Sequence, residues 1–303
     1  MFQTISPCQV WRMLRLAMVA LMLALLPVSG PCLAQEPIEV RTPAPENPDD
    51  PRFAWSVEVL KMALQATEQD FGPWKLVLES RVSDRTRLET ELEKGGLINV
   101  ALLPSCTISD KRFMRVSHVA DRGLLGYRVA IIRAGEQNKF SGVKTLNDLA
   151  AFPVASGRNW HISKIFIGND LPVTLWPDLD GLYNLLSIGR VDYLSRSVYE
   201  VMRELDHYKQ IYPNLAIEQT LLVRTPIAMW LYVSVGEDKL KERLESGMGR
   251  ILASGTLKTR FDVLFRKDLE ALNLKSRRVI MLNDPDAHGP TLAIPTTELL
   301  TGQ

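Results

Sequence analysis

The sequence predicts an α/β protein, and two observations carry that expectation. Beyond residue 34, short apolar β-branched runs alternate with helical-period segments in the order β-α-β-α-β, which implies a parallel sheet with helices on its faces. A length of 303 residues, 46% of them hydrophobic and 7% aromatic, supplies a sizeable core and fits one large or two ordinary domains. The 36 Lys and Arg against 35 Asp and Glu leave a formal charge of +1, so there is no electrostatic footprint for nucleic acid or an anionic membrane surface.

Residues 1–34 read as a secretory signal peptide. Arg12 and Arg15, with no acidic residue, precede an apolar run over 16–26, then Pro27, Ser29, Gly30 and a small residue at Ala34. The run is about a dozen residues, short of the roughly 20 that span a bilayer, and an uncleaved anchor is the alternative. Cleavage is expected after Ala34. Pro31 stands before Cys32 where a lipidation signal would place a small residue. Cys8 and Cys32 leave with the leader, so the remainder keeps only Cys106 and has no internal disulfide. Its stability must come from packing.

Ile38 to Thr42 reads as a strand feeding a Pro-rich acidic loop. Phe53, Val57, Leu60 and Leu64 then recur at helical spacing, predicting a helix to about Glu68. Trp74 to Glu79 alternates as a strand. Asp84 caps a helix carrying Leu88 and Leu92, Gly95-Gly96 stops it, and Ile98 to Leu103 is a continuous apolar strand. A second rhythm follows: strands over 124–132, 154–155, 191–194, 216–219 and 228–235, with helices over 146–149, 182–188, about 197–205, 238–253 and 256–265. The last thirty or so residues, with Pro285, Pro290 and Pro295, read as an extended tail.

Catalytic motifs are absent: there is no GxSxG, GxxxxGK[ST], GxGxxG or HExxH. His118, His161, His207 and His288 are far apart, and none has a neighbour at metal-ligand spacing, so neither a metal nor a cofactor is expected. Cys106 lies between Ser105 and Thr107 after a strand; a lone thiol without a nearby base reads as a packing residue before it reads as a nucleophile. The charged run Lys239 to Arg243 and the pair Arg277-Arg278 read as solvated surface.

Several stretches resemble the family 3 periplasmic solute-binding proteins that serve amino-acid ABC transporters. Pro104-Ser-Cys-Thr107-Ile-Ser-Asp-Lys-Arg112, after an apolar strand and before Val116-Ser117-His118, is similar to that family's "T-x-x-x-x-R … F-S-x-P-Y" stretch. Val143-Lys-Thr-Leu-Asn-Asp148-Leu resembles its "i-x-s-l-x-D-L-k-G" segment. Gly189-Arg190-Val191-Asp192 resembles its "G-R-x-D", and Gly255-Thr256 its "d-G-t" connection. The order is kept from about Ile38 to Phe265.

The resemblance implies a two-lobed type II periplasmic binding protein fold, each lobe a mixed sheet flanked by helices, joined by two crossing strands and closing over a ligand. Lobe 1 would hold residues 35–124 plus 228–303, and lobe 2 residues 125–227. In polar-amino-acid binders the arginine of TxxxxR clamps the ligand carboxylate, which falls on Arg112; a guanidinium offers two parallel donors to a carboxylate. Ser105 and Thr107, at the strand's carboxyl end, would add donors. The alternative for Arg112 is an exposed place in the basic patch with Lys111 and Arg115.

This chain also departs from the pattern. The acidic residue that holds the ligand ammonium falls on Ser197, with Arg196 before it; Glu200 either substitutes or forms a surface salt bridge. Trp160, in Ser156-Gly-Arg-Asn-Trp160-His161, is the best aromatic candidate to face the cleft, with interlobe packing as the other reading. Arg112, Arg158 and Arg196 would place three cations near one cleft, which favours an anionic ligand. The leading expectation is therefore a monomeric, non-enzymatic periplasmic protein that captures a small carboxylate-bearing or amino-acid-like ligand for an ABC permease or membrane sensor. Two others remain: an exported protein with a vestigial cleft that acts through a protein partner, and a dehydratase-like enzyme using Glu200, His161 or Asp192.

Overall fold

The computed structural model describes residues 36–45, 51–82 and 85–285, without the side chains of 51–53, 107 and 108. The expected leader over 1–34, the Asp84 cap and the last prolines, Pro290 and Pro295, lie outside the described residues.

Strand β1 (Ile38–Pro43) runs parallel to β2 (Trp74–Glu79), with Ile38 opposite Trp74 and Pro43 opposite Glu79. Between them lie α1 (Pro51–Gln65) and the single turn α2 (Glu68–Phe71). The predicted helix divides here because the Thr67 hydroxyl donates back to the carbonyls of Ala63 and Leu64, at 2.9 and 3.1 Å. Trp55, Val59, Leu60, Ala63 and Leu64 are fully buried, one face at helical spacing. Next come α3 (Arg85–Lys94), β3 (Val100–Pro104), α4 (Thr107–Arg112) and β4 (Met114–Val119). Strands β3 and β4 flank the later β11 (Met229–Val233), both antiparallel to it. Asn99 stitches β1 to this sheet: its amide donates to Glu39 O at 2.9 Å and its oxygen accepts from Arg41 N at 2.8 Å.

The chain crosses to the second sheet at 120–127. The sequence predicts a strand from 124, but residues 124–126 form a 3₁₀ turn and β5 (Tyr127–Arg133) starts after it. The reason is Asp121. Its fully buried carboxylate accepts from Gly123 N, Leu125 N and, on the returning crossing, Met229 N, at 3.0, 2.9 and 3.0 Å. Burial pushes its pKa up to about 6 against these three donors. The two crossings touch at Gly126, where a Cβ would stand 2.3 Å from Thr225 O and 2.7 Å from Ile227 O.

The second sheet adds α5 (Gln137–Ser141), α6 (Leu146–Leu149), β6 (Val154–Gly157), α7 (His161–Gly168), β7 (Val173–Trp176), α8 (Leu179–Ser187), β8 (Tyr193–Ser197) and α9 (Val201–Tyr208). Strands β9 (Leu215–Ile217) and β10 (Leu221–Arg224) complete its middle. Strand β8 extends to Ser197, paired with Arg128, which delays the predicted helix to Val201. Helices α10 (Asp238–Ala253) and α11 (Thr256–Ala271) return to the first sheet, where α10 packs on α1.

Three expectations are corrected here. Arg243, placed in a solvated charge run, is fully buried and donates to Thr67 Oγ1, Pro73 O, Leu64 O and Gly72 O, closing the carbonyl end of α1. Arg277 is buried too, with Glu218 Oε2 3.7 Å away. And the tail is not merely extended: β12 (Arg278–Met281) pairs parallel with β10, Leu221 opposite Arg278. Residues 278–281, grouped in the sequence reading with lobe 1, thus belong to the sheet ordered β12-β10-β5-β8-β6-β7, with β9 on β5. An edge strand needs only an open ladder, which period-based reading of four residues does not reveal.

Candidate functional site

Strands β6, β7 and β8 run parallel, and their carboxyl ends at Gly157, Trp176 and Ser197 share one edge of the second sheet. The crossing leaves from that same edge, since the Ser197 hydroxyl donates to Leu124 O at 3.0 Å. Strand β6 is buried along its length, and at its end the chain surfaces with Arg158 and Asn159. Trp160 then opens α7. Its indole lies flat on Gly157: a Cβ there would meet the ring at 2.4 Å, so only glycine permits this seat. Ser163, whose hydroxyl donates to Gly157 O at 2.6 Å and lies 2.6 Å from Ser156 Oγ, ties the first turn of α7 to β6.

Beneath Trp160 sits Arg196, its guanidinium carbon 4.6 Å from the ring centroid. Arg196 is 7% exposed and Glu204 4%. The guanidinium grips Glu204 in a fork of two bonds, Nε to Oε2 at 2.5 Å and Nη2 to Oε1 at 2.6 Å, with Glu200 Oε2 3.3 Å away. Burial works against its charge, but Glu200 and Glu204 outweigh that and hold its proton above the ordinary arginine range. Glu204 also accepts from the Tyr183 hydroxyl at 3.2 Å, and Tyr183 stacks on Tyr208 with centroids 3.6 Å apart. Arg128 completes the network with donors to Ser195 Oγ, Ser195 O and Leu125 O. Burial and the nearby Arg196 charge lower its pKa to about 10.

At this edge Arg158 is exposed, Trp160 is half-buried, and Trp176, register partner of Gly157, is 40% exposed with its indole seated on Gly181 of α8. Arg158 donates its backbone N–H to Trp176 O at 2.9 Å, and its guanidinium has no partner among the described residues. An exposed guanidinium two residues before a half-buried indole offers paired donors and an apolar face at the same strand end. Among the described residues no group of His, Cys, Asp or Glu is arranged to hold a metal ion.

No family model matches the sequence, and no curated protein matches it. Solved structures do. An ancestral arginine-binding protein bound to arginine superposes with a TM-score of 0.54 at 15% identity, over 77% of this chain and 99% of that one. An amino acid ABC transporter substrate-binding protein from Streptococcus pneumoniae, bound to L-arginine, gives 0.51 at 16% identity, over 76% and 93%. An ancestral amino-acid-binding protein, described as a precursor of cyclohexadienyl dehydratase, gives 0.51 at 11%, over 75% and 94%. This chain has the two-lobed type II periplasmic binding protein fold.

Within that fold the expected site residues do not all meet. Trp160 and Arg196 come together, with Arg158 exposed two residues before Trp160, but Arg196 lies under Trp160 with its charge already answered by Glu204, and so is a support rather than a third free cation. Glu200, weighed as a substitute anion, is likewise paired with Arg196 and accepts from Ser197 N at 3.3 Å. Ser105 and Ser197 are fully buried at the crossings: Ser105 N donates to Ala228 O at 2.9 Å and its hydroxyl accepts from Ala228 N at 3.4 Å. Their hydroxyls hold backbone. Arg112, the expected clamp, is engaged by α3, with Nη1 2.7 Å from Glu89 Oε2 and Nη2 2.8 Å from Glu93 Oε2. Both donors a ligand carboxylate would need are occupied. Thr107 opens α4, and its side chain lies outside the described residues.

The sequence reading missed Glu204, Tyr183, Arg128 and Trp176. Glu200 and Glu204 stand four apart on a helix, a spacing that puts both on one face beside a strand arginine. That signal was available; the partner was not, because β8 and α9 meet only in three dimensions.

Proposed function

We propose that this chain is a non-enzymatic, exported ligand-binding protein that captures a small carboxylate-bearing solute at the edge of its second sheet, in the space toward the first. The observation that carries the reading is Trp160, an aromatic plate held from below by a buried ion pair, with Arg158 two residues before it exposed and its guanidinium without a partner among the described residues. Its place at the carboxyl ends of parallel strands is where open α/β sheets receive ligands. The absence of an anion at Ser197 favours an anionic solute over a zwitterionic amino acid. Asp192 is paired with Arg133 at 3.3 Å and Glu200 with Arg196, which supports binding over acid–base chemistry. The leader-like N-terminus supports periplasmic residence; the protein would act there as a monomer, as the family resemblance implies, with an ABC permease or a membrane sensor as the receiving partner.

The test is thermal unfolding against a panel of monocarboxylates, dicarboxylates, aromatic acids, amino acids and amines. A ligand at 100 times its Kd stabilises by about 2.7 kcal/mol, a midpoint rise of roughly 5 to 10 °C at about 2 to 4 °C per kcal/mol. The expected result is a rise with carboxylates that is lost in Arg158→Ala. No rise with any compound after unfolding and refolding to strip retained ligand removes this reading, in favour of a vestigial cleft and a protein partner.

A further inference from the structure

Helix α11 has a place that the two crossings do not explain. It is 16 residues long, about 24 Å at 1.5 Å per residue. Its first half belongs to the first sheet's helices. Arg260 donates to Glu58 Oε2 on α1 at 2.8 Å, and Phe261 packs edge-on against Trp55 with centroids 5.1 Å apart. Its middle is fastened to the crossing itself, where Arg122 donates to Asp262 Oδ1 at 2.9 Å. Its second half reaches the second sheet's helices while Phe265 keeps an edge-on contact with Trp55 at 6.1 Å: Arg203 of α9 donates to Asp268 Oδ2 and to Leu264 O, each at 3.1 Å. Tyr199, just past β8, packs on both Phe261 and Phe265, at 5.9 and 5.5 Å.

The connection beyond α11 has no slack. Arg277, buried, donates to Leu272 O at 2.7 Å and to Leu221 O at 3.1 Å, pinning the end of the helix to the start of β10. Strand β12 follows β10, and Leu282 N donates to Arg224 O at 2.9 Å. The strap then reaches α7. Asn283 and Asn169 exchange bonds of 3.0 and 2.6 Å, and Asp284 Oδ2 lies 2.8 Å from His161 Nε2, one residue from Trp160.

We propose that α11 and the 277–285 strap form a splint that holds the two lobes in one arrangement, so that the Trp160 face is preformed and binding proceeds without wide hinge closure. A helix is stiff on this length scale, and rotation about the 120–127 and 225–228 crossings must break either its contacts with α1 or its contacts with α9. The proposal takes the Trp160 face as the binding face from the reading above, but its measurement is made without ligand, so its failure and that of the binding reading are separate.

The experiment is a spin-label distance measurement on the full chain, with Cys8, Cys32 and Cys106 replaced by serine and labels at Lys94→Cys and Lys209→Cys, both exposed. A single narrow distance is expected in the unliganded protein, with a broadened or second, shifted distance in Arg203→Ala. A broad or double distribution in the parent overturns the proposal. So does an equally narrow one in a folded splint-released variant, since the crossings alone would then set the rigidity. Should Arg203→Ala not fold, Arg203→Met keeps the aliphatic stem while removing both bonds to α11, and the same two outcomes decide.

Discussion

Replacing Glu204 by alanine isolates the physics of the site. The carboxylate is 4% exposed, takes both arms of the Arg196 fork, and accepts the Tyr183 hydroxyl. Its removal leaves a guanidinium that is 7% exposed with only Glu200 at 3.3 Å. Breaking one side of a buried pair costs about 3 to 5 kcal/mol. At about 2 to 4 °C per kcal/mol the midpoint falls by roughly 6 to 20 °C, readable by circular dichroism and by urea unfolding. Arg112→Ala is the internal comparison. Its pairs with Glu89 and Glu93 are on the surface, with side chains 29%, 21% and 56% exposed, so its loss costs about 1 kcal/mol or less. The double variant Arg196→Met with Glu204→Leu should recover most of the stability, because an apolar pair of similar volume replaces a buried ion pair at little or no cost. It should not recover ligand binding, since Trp160 then loses the cation under its ring. A Glu204→Ala chain within about 1 kcal/mol of the parent refutes the reasoning: the pair would be solvated, and Trp160 would not be held by it.

Arg158→Ala should leave the midpoint unchanged, within about 0.5 kcal/mol as for an exposed unpaired side chain, while abolishing the rise that carboxylates produce. Gly126→Ala should destabilise by about 1 to 3 kcal/mol or more, because its Cβ would stand 2.3 Å from Thr225 O; an unperturbed urea midpoint contradicts the close approach of the crossings. For pH, Asp121 titrates near 6 when folded and near 3.8 when not. The folded state therefore binds the extra proton between those values, and this residue's contribution to stability falls as pH rises from about 4 to 6, by up to about 3 kcal/mol at 1.36 kcal/mol per unit. Urea midpoints of the parent and Asp121→Asn across pH 4 to 7 should show that component only in the parent.

The sequence by itself determined the class of fold and much of its order. The apolar faces of α1 and α10 and the continuous run into β3 are written in local periodicity, which burial on one side enforces residue by residue. Trp160 and Arg158 were also legible as candidates, because they put an aromatic and a cation in the loop after a predicted strand, where a cleft would open. Tertiary structure alone decided which arginines are free. Arg112, Arg196, Arg243 and Arg277 look alike in sequence, yet α3 carboxylates, Glu204, the last carbonyls of α1 and the Glu218 corner answer them in turn. Each of those partners lies on another element, and whether a charge is spent or available depends on what the fold brings within about 3 Å of it, a distance that chain order does not encode. The joining of β12 to the second sheet was decided in the same way, because an edge ladder is filled by whatever strand the fold delivers to it.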